Sequence, residues 1–307
     1  MLHDSQNGSW LRQSAVTSIE RASSVIDQLP SSVSDLRDVS QQLVAHYMGN
    51  SDGSTGPVTG ERLKEVDMRY AEAMFLKLLE KGAPTLSRER PPEERIAGCC
   101  RDFAVLFVTM ARHKQIPARV RAGYSTYFRP GWYIDHVIAE IWDAGAGRWR
   151  LIEPEVSEAL ANREGFDPLD VPSDKFVTGL KAWSAARSGE IDPERCVVAP
   201  DFLEPYTRSW LSLRHHIVQD LAALNKAEML VWDQWGILNE DDPLAHAELL
   251  DRLAEETSTH NCDAEIISKW GQKEGLRVQA EVISYSPAYA SPLKVNVSKV
   301  LEGTLYS

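Results

Sequence analysis

No run of roughly eighteen apolar residues occurs in the sequence, and a membrane-spanning helix needs about that length, so no such span is expected. Cysteine is scarce. Cys99, Cys100, Cys196 and Cys262 are the only four among 307 residues. That is too few for a disulfide framework, and adjacent cysteines rarely bond to each other, so a reducing, cytoplasmic setting is expected. Basic residues are outnumbered, 33 Lys and Arg against 45 Asp and Glu, which leaves a formal net charge of -12. Phosphate binding needs a basic surface, so a nucleic-acid partner is not expected. The opening residues Met1-Leu2-His3-Asp4-Ser5-Gln6-Asn7-Gly8 have neither the basic start nor the apolar stretch of a signal peptide. There is no internal repeat, no low-complexity tract and no linker strong enough to prove a second domain. At 43% hydrophobic and 25% charged, the composition is that of an ordinary soluble globular protein.

What is present is a thiol in an unusual place. Cys100 stands at the start of a segment, 100–114, in which Phe103, Leu106, Phe107 and Met110 follow helical spacing. A helix N-terminus carries the positive end of the helix dipole, which favours a thiolate over a thiol. Pro117 ends that helix. Residues 118–124 then alternate as a strand, with Val120, Ala122 and Tyr124 on one side and Arg119 and Arg121 on the other. Residues 125–133 form an aromatic loop with Pro130 and Gly131. A hairpin follows: 134–142 is β-rich, Asp143-Ala144-Gly145-Ala146-Gly147 is a turn, and 148–153 is β-rich again. Centred on Gly145, the hairpin pairs residues whose numbers sum to about 289 to 291. His136 then faces a residue between 153 and 155, and a sum of 289 sets it directly opposite Glu153.

The rest of the chain reads more coarsely. Helical spacing predicts helices over 32–48, 61–81, 206–235 and 243–256, with a short one over 174–186 and β-like runs within 277–300. Gly/Ser/Thr-rich residues 49–60, and Gly82, Pro84, Pro91 and Pro92, are breakers. His215-His216 with Asp201 and Glu204 match no metal-ligand spacing and read as a solvated helix end, and Glu240-Asp241-Asp242 as an acidic loop.

Taken alone, each residue of the pattern has an ordinary explanation. A cysteine at a helix start is usually a small buried hydrophobe, a strand histidine is usually structural, and a lone glutamate is usually a surface charge. Taken together, Gly98-Cys99-Cys100-Arg101-Asp102-Phe103-Ala104, Ala111-Arg112-His113-Lys114-Gln115-Ile116-Pro117-Ala118-Arg119-Val120-Arg121, Asp135-His136-Val137 and Trp149-Arg150-Leu151-Ile152-Glu153-Pro154 resemble the core of the transglutaminase-like superfamily. The resemblance implies an α+β fold. Its papain-like core would set the nucleophile on a helix N-terminus against an antiparallel sheet, with a mixed, largely helical C-terminal extension. The expected division is a catalytic domain over 1–200, with its motifs in 98–154, and an extension over 201–307.

The resemblance also assigns roles. Cys100 would be the nucleophile rather than Cys99, because the family's cysteine lies two residues after a glycine. His136 would be the base and then the acid. Glu153 would be the orienting carboxylate, where the family usually has an aspartate before proline. The expected activity is acyl transfer through a cysteine acyl-enzyme, as in bacterial amide-forming enzymes of natural-product pathways. The alternatives are an amidase or peptidase, or an inactive binding module. No cofactor and no metal are expected. The partners would be a small-molecule, peptide or thioester acyl donor and an amine acceptor. Tyr127 and Trp132, among the loop aromatics, either line the substrate groove or roof the core. Arg119 is a candidate contact for an anionic donor.

Overall fold

The computed structural model describes residues 8–49, 56–82, 85–259 and 262–306. The N-terminal heptapeptide, Pro84 and residues 50–55 of the Gly/Ser/Thr loop at 49–60 lie outside the described residues. The fold is mixed α and β, and its largest sheet is mainly antiparallel. In that sheet β5 (Arg148–Ile152), β4 (Tyr133–Asp143), β3 (Ala118–Ser125) and β6 (Phe176–Thr178) lie in that order, and β7 (Cys196–Val197) pairs parallel to β4. The chain divides into two compact units. One comprises Met1–Val120, Ile138–Val171 and Tyr285–Pro292, the other Arg121–Val137, Pro172–Ser284 and Leu293–Ser307.

The first unit is built around the Cys100–His113 helix. Phe103, Leu106, Phe107 and Met110 are all buried, as the spacing predicts. Leu36 and Leu43 of the Val33–Leu43 helix pack on the same element. Burying one such side chain contributes about 1.5–3 kcal/mol. Helical spacing over 32–48 overran its helix. Ser32 caps the start by accepting from the Asp35 N–H at 3.1 Å, but after Leu43 the chain becomes strand β1 (Val44–His46), parallel to β2 (Ile96–Gly98). The helix expected over 61–81 is broken as well. A 3₁₀ segment, Gly60–Asp67, precedes the Ala71–Lys81 helix. Between them the Arg69 carbonyl turns out of helical bonding and accepts from Arg101 Nη2 at 2.7 Å.

In the second unit the Gly179–Ser188 helix packs on the Ser209–Leu224 and Ala247–Thr259 helices. The approach is close at Gly179, where a Cβ would lie 2.2 Å from the His216 carbonyl oxygen. The helix expected over 206–235 ends at Leu224. Buried Asn225 ties its amide to the Leu221 and Ile267 carbonyls, both at 3.0 Å, and Lys226 turns left-handed. The helix expected over 243–256 starts later, at Ala247, because the Asp242 carboxylate takes the Leu244 N–H at 3.0 Å and holds residues 243–246 as turns. A second sheet orders β8 (Asp233–Gln234), β9 (Glu281–Ser284) and β10 (Leu293–Asn296) as β10-β9-β8.

Candidate active site

Cys100 is the first residue of its helix and 5% exposed. The turn before it is fixed from both sides. Asp102 accepts the Cys99 N–H at 2.9 Å, satisfying a donor that the helix start would otherwise leave open. Arg101 donates to the other Asp102 oxygen at 2.9 Å and reaches back to Arg69. Burial pushes the Asp102 carboxyl up, against the pull of Arg101. A hydrogen bond with the Cys100 thiol draws Cys99 down, but burial and Asp102 together carry the Cys99 thiol above its ordinary value. Gly98 is required by close approach rather than by its dihedral angles. A Cβ there would meet Asp102 Oδ2 at 2.6 Å and Val44 Cγ1 at 2.9 Å.

Glu153 follows β5 in the same unit and is fully buried. Its N–H donates to Pro168 O at 2.8 Å, and its carbonyl accepts from Arg37 Nε at 2.8 Å. The side-chain Oε1 accepts backbone N–H groups from Glu155 at 2.9 Å and Val156 at 3.3 Å. Arg37, buried itself, also takes the Val156 carbonyl and the Glu158 carboxylate, so the 153–158 turn is stapled to the Val33–Leu43 helix.

His136 lies on β4 in the second unit and is 1% exposed. Its ring is met edge-on by Phe128 at 5.0 Å, Tyr127 at 6.0 Å and Phe176 at 6.4 Å. Its neighbour Asp135 belongs to another histidine, His216, whose Nε2 lies 3.4 Å from the Asp135 carboxylate. Burial opposes ionisation of Asp135, yet the hydrogen bond and charge of His216 hold it below the usual carboxylate range.

The sequence model described as "Transglutaminase-like superfamily" matches residues 70–154, the stretch that carries Cys100, His136 and Glu153. This segment is similar to the transglutaminase-like superfamily. Among curated proteins, none matches the chain. One solved structure, named "Putative Cysteine Protease from Cytophaga hutchinsonii", aligns at 19% identity and a TM-score of 0.32. The alignment covers 55% of this chain, and the chain spans 44% of that protein's length.

Within the transglutaminase-like segment the hairpin has a single register. β4 and β5 pair antiparallel from Ala139–Ile152 to Asp143–Arg148, with residue numbers summing to 291 throughout. This is the upper end of the expected range. The ladder stops short of His136 and Glu153, so the direct opposition implied by a sum of 289 does not occur. Strand β3 also differs from its alternating pattern, since all eight residues are buried. Its arginines are absorbed by ion pairs rather than by solvent. Arg121 forks onto Asp220 at 2.9 and 2.8 Å. Arg119 pairs with Glu140 at 2.6 Å and lies between the Trp149 ring at 3.9 Å and the Trp10 ring at 4.8 Å. It is 2% exposed, so the side chain expected to meet an anionic donor is part of the interior.

Of the two loop aromatics, Tyr127 is buried beside Phe128 and His136, while Trp132 is half-buried with the Arg195 guanidinium 4.9 Å from its ring. His215 and His216 are not a solvated helix end. They sit within the Ser209–Leu224 helix, bonded through His215 Nε2 to Val231 O and His216 Nδ1 to Ser212 O, each at 2.8 Å. Among the described residues no group of three or more His, Cys, Asp or Glu could hold a metal ion, and no helix is long and apolar enough to cross a membrane.

Sequence reasoning missed two residues beside Gly98, which lies two positions before Cys100. His46 pairs with Gly98 across β1 and β2, and the Tyr47 N–H donates to Gly98 O at 2.8 Å. Val44-Ala45-His46-Tyr47 is too short to show a strand period, and its partner lies far along the chain, so no local signal could have found it.

Proposed function

We propose that this protein forms and transfers acyl groups through a thioester on Cys100. The observation that carries the reading is Cys100 itself. It is a thiol at the first position of a long, braced helix, inside the segment that matches the transglutaminase-like superfamily. In the reaction Cys100 sulfur attacks a carbonyl carbon as His136 takes the thiol proton. The carbonyl electrons move onto oxygen, and the Cys100 backbone N–H at the helix start donates to that oxyanion. The oxyanion collapses, the bond to the leaving amine or alkoxide breaks, and His136 returns the proton to it. An amine or water then attacks the thioester, again giving its proton to His136, and as the C–S bond breaks the departing Cys100 sulfur takes that proton back. Glu153 holds the imidazole in the productive orientation, and its own carboxylate is fixed by the Glu155 and Val156 amides. The reading extends to the fold, with a papain-like core for the segment that carries Cys100.

Incubation with p-nitrophenyl acetate tests the reading. Intact mass should show one acetyl group, peptide mapping should place it on Cys100, and Cys100→Ala should remove it. Added amine should clear the acetyl as an amide, and clearance at the same rate without amine would make the protein a hydrolase. No acetyl on Cys100, with the thiol still open to alkylation, would overturn acyl transfer.

A further inference from the structure

The tetrahedral intermediate needs more than one donor, and the Cys100 N–H supplies one. We propose that His46 supplies another, its Nε2–H donating a hydrogen bond to the oxyanion that forms when Cys100 attacks a carbonyl. This role rests on the acyl-transfer reading above.

Its first support is placement. β1 and β2 run parallel with His46 and Gly98 as Cα partners, so His46 sits beside the residue two positions before the nucleophile. The 2.8 Å bond from the Tyr47 N–H to Gly98 O fixes that register, and a slip of one residue would break it. Both strands and the helix start belong to the same compact unit. The second support is exposure. Val44 and Ala45 are fully buried core, whereas His46 is half-buried, so the strand brings an imidazole to the surface as it reaches the thiol turn.

The third support is the state of the ring. His46 Nδ1 accepts the Met48 N–H at 3.3 Å. An accepting Nδ1 has no proton, so a neutral ring carries its hydrogen on Nε2 and is a donor there. The ring also stacks on Tyr47, with centroids 5.3 Å apart and planes 25° from parallel, which fixes its orientation in advance. A donor held before reaction pays no reorganisation as charge develops. A purely structural His46 would make the same Met48 bond, so the test must separate charge stabilisation from support of the turn.

Two reactions at Cys100 make that separation. Acetylation by p-nitrophenyl acetate passes through an oxyanion. Alkylation by iodoacetamide displaces iodide from a saturated carbon and forms none. In the full-length protein, His46→Ala should slow acetylation by about 10²- to 10³-fold while alkylation keeps its wild-type rate. His46→Gln, whose amide can donate, should recover part of the loss. Equal slowing of both reactions would make His46 a structural residue, and unchanged acetylation would remove it from the site. Either result overturns the role while acetylation of the wild type still upholds the acyl-transfer reading. A wild-type Cys100 that alkylates but never acetylates overturns both.

Discussion

Two carboxylates, one in each unit, are equally buried and differently held. Asp220 is fully buried, and its oxygens take a two-pronged bond from Arg121 and a third bond from the Ala122 N–H at 3.2 Å. Glu153 is as deeply buried, but its Oε1 is held by two backbone amides, and the nearby Arg37 spends its guanidinium on carbonyls and on Glu158. A full opposing charge makes Asp220 half of a buried ion pair whose task is complete within the fold. Backbone amides fix one Glu153 oxygen in orientation. At equal depth the two carboxylates are thus held by different chemistry, a guanidinium for Asp220 and amides for Glu153, and the proposed role in acyl transfer falls to the second.

Two isosteric substitutions break this comparison most directly. Glu153→Gln keeps the shape and removes the charge, so acyl transfer should fall by about 10²- to 10⁴-fold with little change in melting temperature. Asp220→Asn strands Arg121 without a counter-charge and should cost about 3–5 kcal/mol of stability, read by urea unfolding, while the folded fraction keeps its turnover. Equal destabilisation by both would erase the distinction.

The same contrast extends to the thiols. Cys196, in the second unit, is pushed up to about 12 by burial and by the nearby Asp192 and Glu194. Iodoacetamide at neutral pH should therefore modify Cys100 well before Cys196, as peptide mapping over a time course would show. Labelling of Cys196 first would reverse the assignment of the reactive thiol.

The smallest effect concerns His215, another second-unit group with its role confined to the fold. Burial and then His216 lower its pKa from 6.5 to about 4. The unfolded chain thus binds a proton that the folded chain refuses between these values. The stabilisation is complete above pH 6.5 and disappears as the pH falls toward 4. Melting temperatures across that window should drop less steeply in His215→Gln than in the wild type, and parallel curves would refute the linkage.

Legibility followed distance along the chain. The Cys100 helix, β3, β4, β5 and the turn at Gly145 were readable because periodicity and turn chemistry act over a few residues. The arginines of β3 were misread because Arg119 and Arg121 find Glu140 and Asp220, partners that tertiary structure supplies and an alternating pattern cannot show. The helix over 61–81 was misread for a related reason: Arg101, 32 residues on, claims the Arg69 carbonyl within it. His46 was invisible because a parallel pair such as β1 and β2 requires a long crossover and leaves no local mark. The two-unit division was equally hidden, since β3 and β4 each pass from one unit to the other.

The stacking around Arg119 has an optical consequence. Trp10 meets Trp149 at 5.5 Å, nearly perpendicular, and Trp149 meets Trp142 at 5.7 Å. Indoles this close and this steeply inclined share their electronic excitations, so the folded chain should show a split circular-dichroism band in the far ultraviolet that separated tryptophans do not give. The Trp142–Trp149 half of that signal arises within one hairpin, where both residues are cross-strand partners. The Trp10 half needs the start of the chain to close onto β5. In a refolding experiment the band should therefore grow in two steps, and the delay between them would time the approach of Trp10 to Trp149.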